Sequence, residues 1–199
     1  MKNLAFIDPY KKKHRSKVAE AFYNQEFTSF TLDETIILPP LGDLTSGDTA
    51  YIKGKPVEFH QQDETHLYYR TDGQLSVGDE VEISIDWQRR LDILEQEASR
   101  ILLTIGLEQL LNVKPVYTSP DSVQLPLKDL SFKDLEKLEH LCNHLIQSNL
   151  PIKYEESENI VSIGNYGKFE TRLPSLSHTG ECALMSLGPV TKEEEEGIR

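Results

Sequence analysis

The hydrophobic period of the chain changes between Ile85 and Trp87, and that change sets the outline of the fold. Val81-Glu82-Ile83-Ser84-Ile85 alternates apolar and polar residues, as a half-buried strand does. From Trp87 onward Leu91, Leu94, Ala98, Ile101, Leu102 and Ile105 recur three and four apart, the period of a helix. Upstream, Lys17 to Tyr23 and Glu26 to Leu32 are short runs rich in aromatic and β-branched residues. Turn signals at Pro39-Pro40, Gly47-Asp48, Gly54, Asp72-Gly73 and Gly78-Asp79 punctuate this half, a pattern that predicts a small β-barrel.

Downstream, Ser131 can cap a second helix with Asp134 three residues on. Its apolar face runs through Phe132, Leu135, Leu138, Leu141 and Leu145 until Asn149 and Pro151 stop it. Strand-like segments lie at Val113 to Tyr117, Ser122 to Leu127, Ile152 to Glu156, Ile160 to Ile163, Lys168 to Arg172 and Cys182 to Leu187. The expectation is an α+β chain: a β-barrel domain over 1–86, an α/β two-layer sandwich over 87–191, and an acidic tail over 192–199 that carries Glu193 to Glu196.

The bulk properties narrow the function classes. The 199 residues are enough for one large or two small cores. No apolar run approaches the roughly 20 residues that span a bilayer, so no membrane partner is expected. The N-terminal MKNLAFIDPYKKKHR places its basic cluster after a short apolar patch, the wrong order for a secretory signal. Only Cys142 and Cys182 are present, which argues against a disulfide framework and for a reduced, cytoplasmic setting. Thirty-three acids against 21 bases give a net charge of -12, an unfavourable balance for generic nucleic-acid binding. An RNA role needs local basic patches, and two candidates exist: Lys11 to Arg15, and the scattered Arg89, Arg90 and Arg100. For either patch alone a solvated surface is the simpler reading.

The stretch Asp86 to Leu103, DWQRRLDILEQEASRILL, resembles the opening of the catalytic half of AlaX-type alanyl-tRNA editing domains, where the run reads approximately D-W-x-R-R-x-x-x-M-x-x-H-T-x-x-H-L-L. Leu38 to Ala50, LPPLGDLTSGDTA, lies without gaps under the family's Y-P-E-G-G-G-Q-P-x-D-x-G loop and keeps Pro39, Gly42 and Asp48, with Leu44 at the glutamine position. Val77-Gly78-Asp79-Glu80-Val81 followed by Ile85-Asp86-Trp87 is similar to the barrel's exit. Phe132 to Pro151 resembles the second helix, including Asn143 and Asn149-Leu150-Pro151. Anchoring on Thr179-Gly180-Glu181 sets Thr171 under the cysteine and Ser175 under the histidine of C-G-G-T-H-V, with Arg172 and Leu173 under its two glycines.

The resemblance implies a barrel-plus-sandwich fold and a zinc-assisted deacylase of mischarged tRNA. It places the four zinc ligands at Glu97, Ile101, Thr171 and Ser175, and substrate-pocket positions at Gly42, Asp43, Leu44, Arg100 and Thr179. Two imidazoles at i and i+4 on one helix face hold a zinc ion, whereas a carboxylate and an isoleucine do not. No bound zinc is therefore expected, and whether the chain is an enzyme stays open.

Two rescues of the chemistry suggest themselves. One is a second metal site built on His140, Cys142 and His144, or on His178 with Cys182; helical geometry keeps the first trio from converging, and outward histidines around an inward cysteine are the simpler arrangement. The other is metal-free hydrolysis by Glu97, Ser175 and His178, with Glu97 as a general base if apolar neighbours raise its proton affinity; an unpaired surface glutamate is the default. Three functional expectations follow: a non-catalytic or altered editing-domain relative that binds tRNA or aminoacyl-tRNA, a metal-independent ester hydrolase, and a protein-interaction module that forms a homodimer.

Overall fold

The computed structural model describes residues 2–190 apart from 43, 64–65, 120–121, 128, 156–158 and 189; the side chains of 62 and 118 are also outside the description. The expected acidic tail and Asp43 thus lie outside the described residues. In chain order the elements are β1 (Lys2–Asn3), β2 (Lys13–Tyr23), β3 (Phe27–Leu32), β4 (Glu34–Thr35), β5 (Ala50–Ile52), β6 (Lys55–Gln62), β7 (Leu67–Asp72), β8 (Glu80–Ile85), α1 (Trp87–Leu111), β9 (Val116–Ser119), β10 (Ser122–Gln124), α2 (Phe132–Gln147), β11 (Ile152–Glu155), β12 (Ile160–Ile163) and β13 (Lys168–Glu170).

The first half is the expected barrel. Strands β2, β3, β7, β6, β5 and β8 close on one another in that order through antiparallel pairs. Closure leaves no free edge to aggregate. The alternation read in β8 points Val81, Ile83 and Ile85 inward, where they meet Val18, Phe30, Leu32, Ile52 and Tyr69. The 11-residue β2 serves two neighbours by shifting register between Val18 and Glu20, pairing with β8 on one stretch and β3 on the other.

The second half stacks two helices on a sheet. Asp86 caps α1, its carboxylate accepting from the backbone N–H groups of Gln88 and Arg89 at 2.9 and 3.3 Å. The helix ends where Asn112 turns left-handed, with φ of 53°. Ser131 caps α2 as its sequence suggests, accepting from Asp134 N at 3.2 Å. Leu94, Ala98 and Leu102 of α1, Leu145 of α2, and Val161 and Ile163 of the antiparallel sheet β11-β12-β13 share one core. The α+β class with a small barrel is thus the observed architecture.

One deep ion pair fastens the barrel to this layer. Arg90, fully buried, bonds to both carboxylate oxygens of Asp48, which is anchored in turn by Leu38 N at 2.8 Å. Arg90 also donates to the carbonyls of Pro9 at 3.0 Å and Ile36 at 2.6 Å. Alongside, Ala5 and Leu38 pack on Ile93 and Leu173, so the apolar seam crosses from the barrel side to the last third of the chain.

The structure departs from the sequence expectations in three places. The segment Cys182 to Leu187 is not a strand; a short 3-10 turn at Thr179–Glu181 leads into irregular chain. Side chains of α2 satisfy its backbone instead of a neighbouring strand: Asn143 donates to Met185 O at 2.9 Å and accepts from Met185 N at 2.7 Å, and Glu139 accepts from Leu187 N at 2.9 Å. The strand expected from Val113 begins only at Val116, because the left-handed Asn112 and Pro115 delay extension, and it pairs with β10 as a separate hairpin. Finally β5, β6 and β7 emerge from sequence that offered turn signals and no clear alternation.

Candidate functional site

The four residues expected to stand at ligand positions lie on α1, Glu97 and Ile101, and on the segment after β13, Thr171 and Ser175. Glu97, Ile101 and Thr171 are each no more than 6% exposed, and Ser175 is half-buried. Thr171 Oγ1 lies 2.6 Å from Glu97 Oε1, which ties α1 to the final segment. One turn along, Arg100 donates from Nη1 to Glu97 Oε2 at 3.1 Å and from Nη2 to the Leu44 carbonyl at 3.2 Å. A carboxyl, a hydroxyl and a guanidinium thereby clip three segments: α1, the residues after β13, and the loop between β4 and β5.

Thr171 Oγ1 sits 2.6 Å from Glu97 Oε1, 2.6 Å from the Leu173 carbonyl, and 3.2 Å from Leu173 N, which donates to it. A hydroxyl has one proton and cannot donate to two acceptors. Thr171 therefore donates to Glu97 Oε1 or to the Leu173 carbonyl, one at a time, while accepting from Leu173 N. Burial independently pushes the Glu97 carboxyl above its ordinary 4.5, outweighing the opposing bonds from Thr171 and Arg100. Glu97 is thus neither exposed nor unpaired, contrary to the sequence default.

The remaining candidate residues scatter. Ser175 Oγ is buried without a hydrogen-bond partner among the described residues. His178 is exposed, with Nδ1 3.7 Å from Glu181 Oε1, and no hydrogen bond joins it to Ser175. Glu181 is the centre of a surface cluster: it accepts from Tyr10 at 2.7 Å, Ser177 Oγ at 2.8 Å and His178 N at 2.9 Å. Thr179 is fully buried; its hydroxyl donates to Leu145 O at 2.7 Å and accepts from Leu150 N at 2.8 Å, binding the end of α2 to the final turn. Gly42 is exposed, and the Leu44 side chain leans on the seam of Ala5, Leu38, Ile93 and Leu173. Leu173 is buried in that seam while Arg172 is exposed.

The second metal constellation dissolves in the same way. His140 and His144 are exposed and Cys142 is fully buried, donating toward Leu102 O at 3.6 Å. Among the described residues no three His, Cys, Asp or Glu side chains gather.

The basic patches sort differently from the expectation. Arg90 and Arg100 are internal, so neither is a solvated surface cation. Arg89 donates to Ser46 Oγ at 2.6 Å and Gly47 O at 3.2 Å, while Lys12 lies 4.3 Å from the centre of the Trp87 ring. Lys12 is therefore placed beside the start of α1, while Arg89, two helical positions on from Trp87, is turned to the loop between β4 and β5. Glu82 offsets part of that charge through Lys13 at 3.7 Å and Arg15 at 3.8 Å. Among the described residues no helix is long and apolar enough to cross a membrane.

The site defines an α+β chain whose barrel and helical layer meet at a closed, hydrogen-bonded clip. No protein-family model matches the chain. It is 29% identical over 163 residues to an alanine–tRNA ligase of Leptospira biflexa, covering 74% of this chain and 17% of that protein. It is 25% identical over 173 residues to the alanyl-tRNA editing protein Aarsd1 of Danio rerio, covering 82% of this chain and 40% of that one. A third relative, the mitochondrial alanine–tRNA ligase of Saccharomyces cerevisiae, is 27% identical over 122 residues, 58% of this chain and 12% of the ligase. The chain thus spans less than half the length of each of these curated relatives.

Proposed function

We propose that this chain is an editing-domain relative that still recognises tRNA or an aminoacyl-tRNA end and has exchanged zinc-assisted deacylation for a metal-free, closed clip. The similarity to alanyl-tRNA ligases and an alanyl-tRNA editing protein supports the recognition half. The observation that carries the other half is the commitment of Glu97 to Thr171 and Arg100 in the interior. The donor set does not fit a zinc ion: one carboxyl is occupied and disposed to hold a proton, one position is an isoleucine, and two are alcohols. The Arg100 cation also stands 3.1 Å from the carboxyl oxygen that a metal would need.

The hydrolase alternative has little geometric support. Nucleophilic Ser175 would need a base within hydrogen-bond reach, and its hydroxyl has none among the described residues. Glu97 has the raised proton affinity of a general base but lies inside, with its oxygens engaged. RNA recognition instead has a physical starting point at Lys12 beside the Trp87 ring, with Arg89 on the same first turn of α1, where phosphates can meet cations near an aromatic ring.

Filter binding with charged and uncharged tRNA tests recognition. Saturable, salt-sensitive binding that weakens on Lys12→Glu and Arg89→Glu is the expected result; indifference to salt and to both changes would overturn it. In a deacylation assay with Ala-tRNA or Ser-tRNA, turnover that disappears in Glu97→Gln would transfer support to the hydrolase alternative.

A further inference from the structure

Of the six histidines in the chain, four have a partner. His14 lies 3.2 Å from Glu34, His66 3.7 Å from Asp63 and His178 3.7 Å from Glu181, while His60 Nε2 is 2.8 Å from Arg70 Nη2. The rings of His140 and His144 make no hydrogen bond or ion pair among the described residues. Both are exposed, and they stand one turn apart on α2. Residues at i and i+4 share a helix face with Cβ atoms about 5–6 Å apart, so a single ion can bridge the two rings.

The turn that carries the pair is held from behind. Cys142 and Leu145 are fully buried, and Asn143 exchanges two bonds with the backbone of Met185, at 2.9 and 2.7 Å. Cys142, about 200° round the helix from His140, aims its thiol at Leu102 O and leaves the two imidazoles as the whole ligand set. The electrostatic setting favours a cation. His144 lies in the last turn of α2, at the negative end of the helix dipole. Glu136, exposed one turn before His140, forms no ion pair among the described residues, and Lys137 is held 3.7 Å from Asp134.

We infer that His140 and His144 form a surface chelate for a borderline divalent transition-metal ion, copper(II) ahead of zinc(II), with water in the remaining positions. An all-imidazole set rejects magnesium and calcium, which take oxygen ligands. Two protein ligands also make the ion exchangeable, so dialysis against metal-free buffer empties the site. The chelate uses none of the residues of the Glu97 clip and does not depend on RNA recognition.

Calorimetric titration of the full chain with copper(II), zinc(II) and magnesium chlorides, in a buffer that does not bind metals, tests it. One copper ion per chain is expected to bind saturably, zinc more weakly and magnesium not at all. His140→Ala and His144→Ala should each weaken copper binding about tenfold or more, because the second imidazole then no longer acts at high effective concentration. His60→Ala, which alters an exposed histidine elsewhere, should leave it unchanged. Combining His144→Gln with Gln147→His keeps the number of histidines but sets them seven positions apart, about 10 Å along the axis, and should bind as weakly as the single variants. All four altered positions are exposed, and melting temperatures confirm that each variant folds. Should one fail to fold, the remaining α2 variants decide. Copper affinity equal to the parent's in folded His140→Ala, His144→Ala or the respaced variant, or magnesium bound as well as copper, overturns the inference.

Discussion

At the scale of single residues, the chain holds a titratable group, Glu97, in its interior. Glu97 binds a proton more tightly in the folded state than in the unfolded chain. Its contribution to stability is therefore fully present below about pH 4.5, its ordinary value, and is lost as the pH rises through the raised folded value. Glu97→Gln, whose amide can donate to Thr171 and accept from Arg100, should flatten that slope and leave stability near neutral pH unchanged or improved. Urea unfolding of both proteins across this range measures it, and a steeper slope in the variant would count against a raised proton affinity at Glu97. Glu97→Ala, by contrast, leaves a buried Arg100 N–H without a hydrogen-bond partner and should cost about 1–3 kcal/mol. The thiols give a second check at this scale. Burial pushes Cys142 and Cys182 up to about 12, so neither should react with a thiol reagent in the folded protein at neutral pH, and both should react in urea. The acid and base three apart at Glu97 and Arg100 are readable in the sequence as a helical pair. Their burial is not, because it depends on Thr171, 74 positions away from Glu97.

At the scale of elements, α1 acts as the pin between the two halves. Two of its arginines point inward, and Arg90 reaches Asp48 in the loop before β5. Asp48→Ala should cost about 3–5 kcal/mol by leaving a fully buried guanidinium uncompensated, visible as a large fall in the melting temperature. A close approach sets the crossing with α2: a Cβ on Gly106 would sit 2.5 Å from Leu138 Cδ1 and 3.3 Å from Cys142 Sγ, both on buried residues. Gly106→Ala should therefore destabilise by about 1–3 kcal/mol despite alanine's better helix propensity. A rise in melting temperature would show that α2 can yield. Period and capping reveal α1, α2 and β8 because those signals are local. The strands β5, β6 and β7 are not revealed, since closing a barrel supplies partners that no short window contains. The segment after Cys182 misleads for the opposite reason: its apolar residues look like a strand, but Asn143 and Glu139 take its backbone groups.

At the scale of the whole molecule, a net charge of -12 coexists with a few cations near the start of α1, Lys12 exposed beside Trp87 and Arg89 half-buried against Ser46. Recognition of a polyanion through so few cations should be weak and strongly dependent on salt. The clip makes a related claim about stability: if Thr171, Glu97 and Arg100 hold together what a metal would hold, chelators should leave the melting temperature unchanged. That scaffold and clip belong together is the central claim, and metal content after zinc loading tests it most directly. Purified protein equilibrated with excess zinc, then dialysed into zinc-free buffer, is predicted to retain none by elemental analysis. Retention of one zinc ion per chain, lost on Glu97→Gln, would contradict the account.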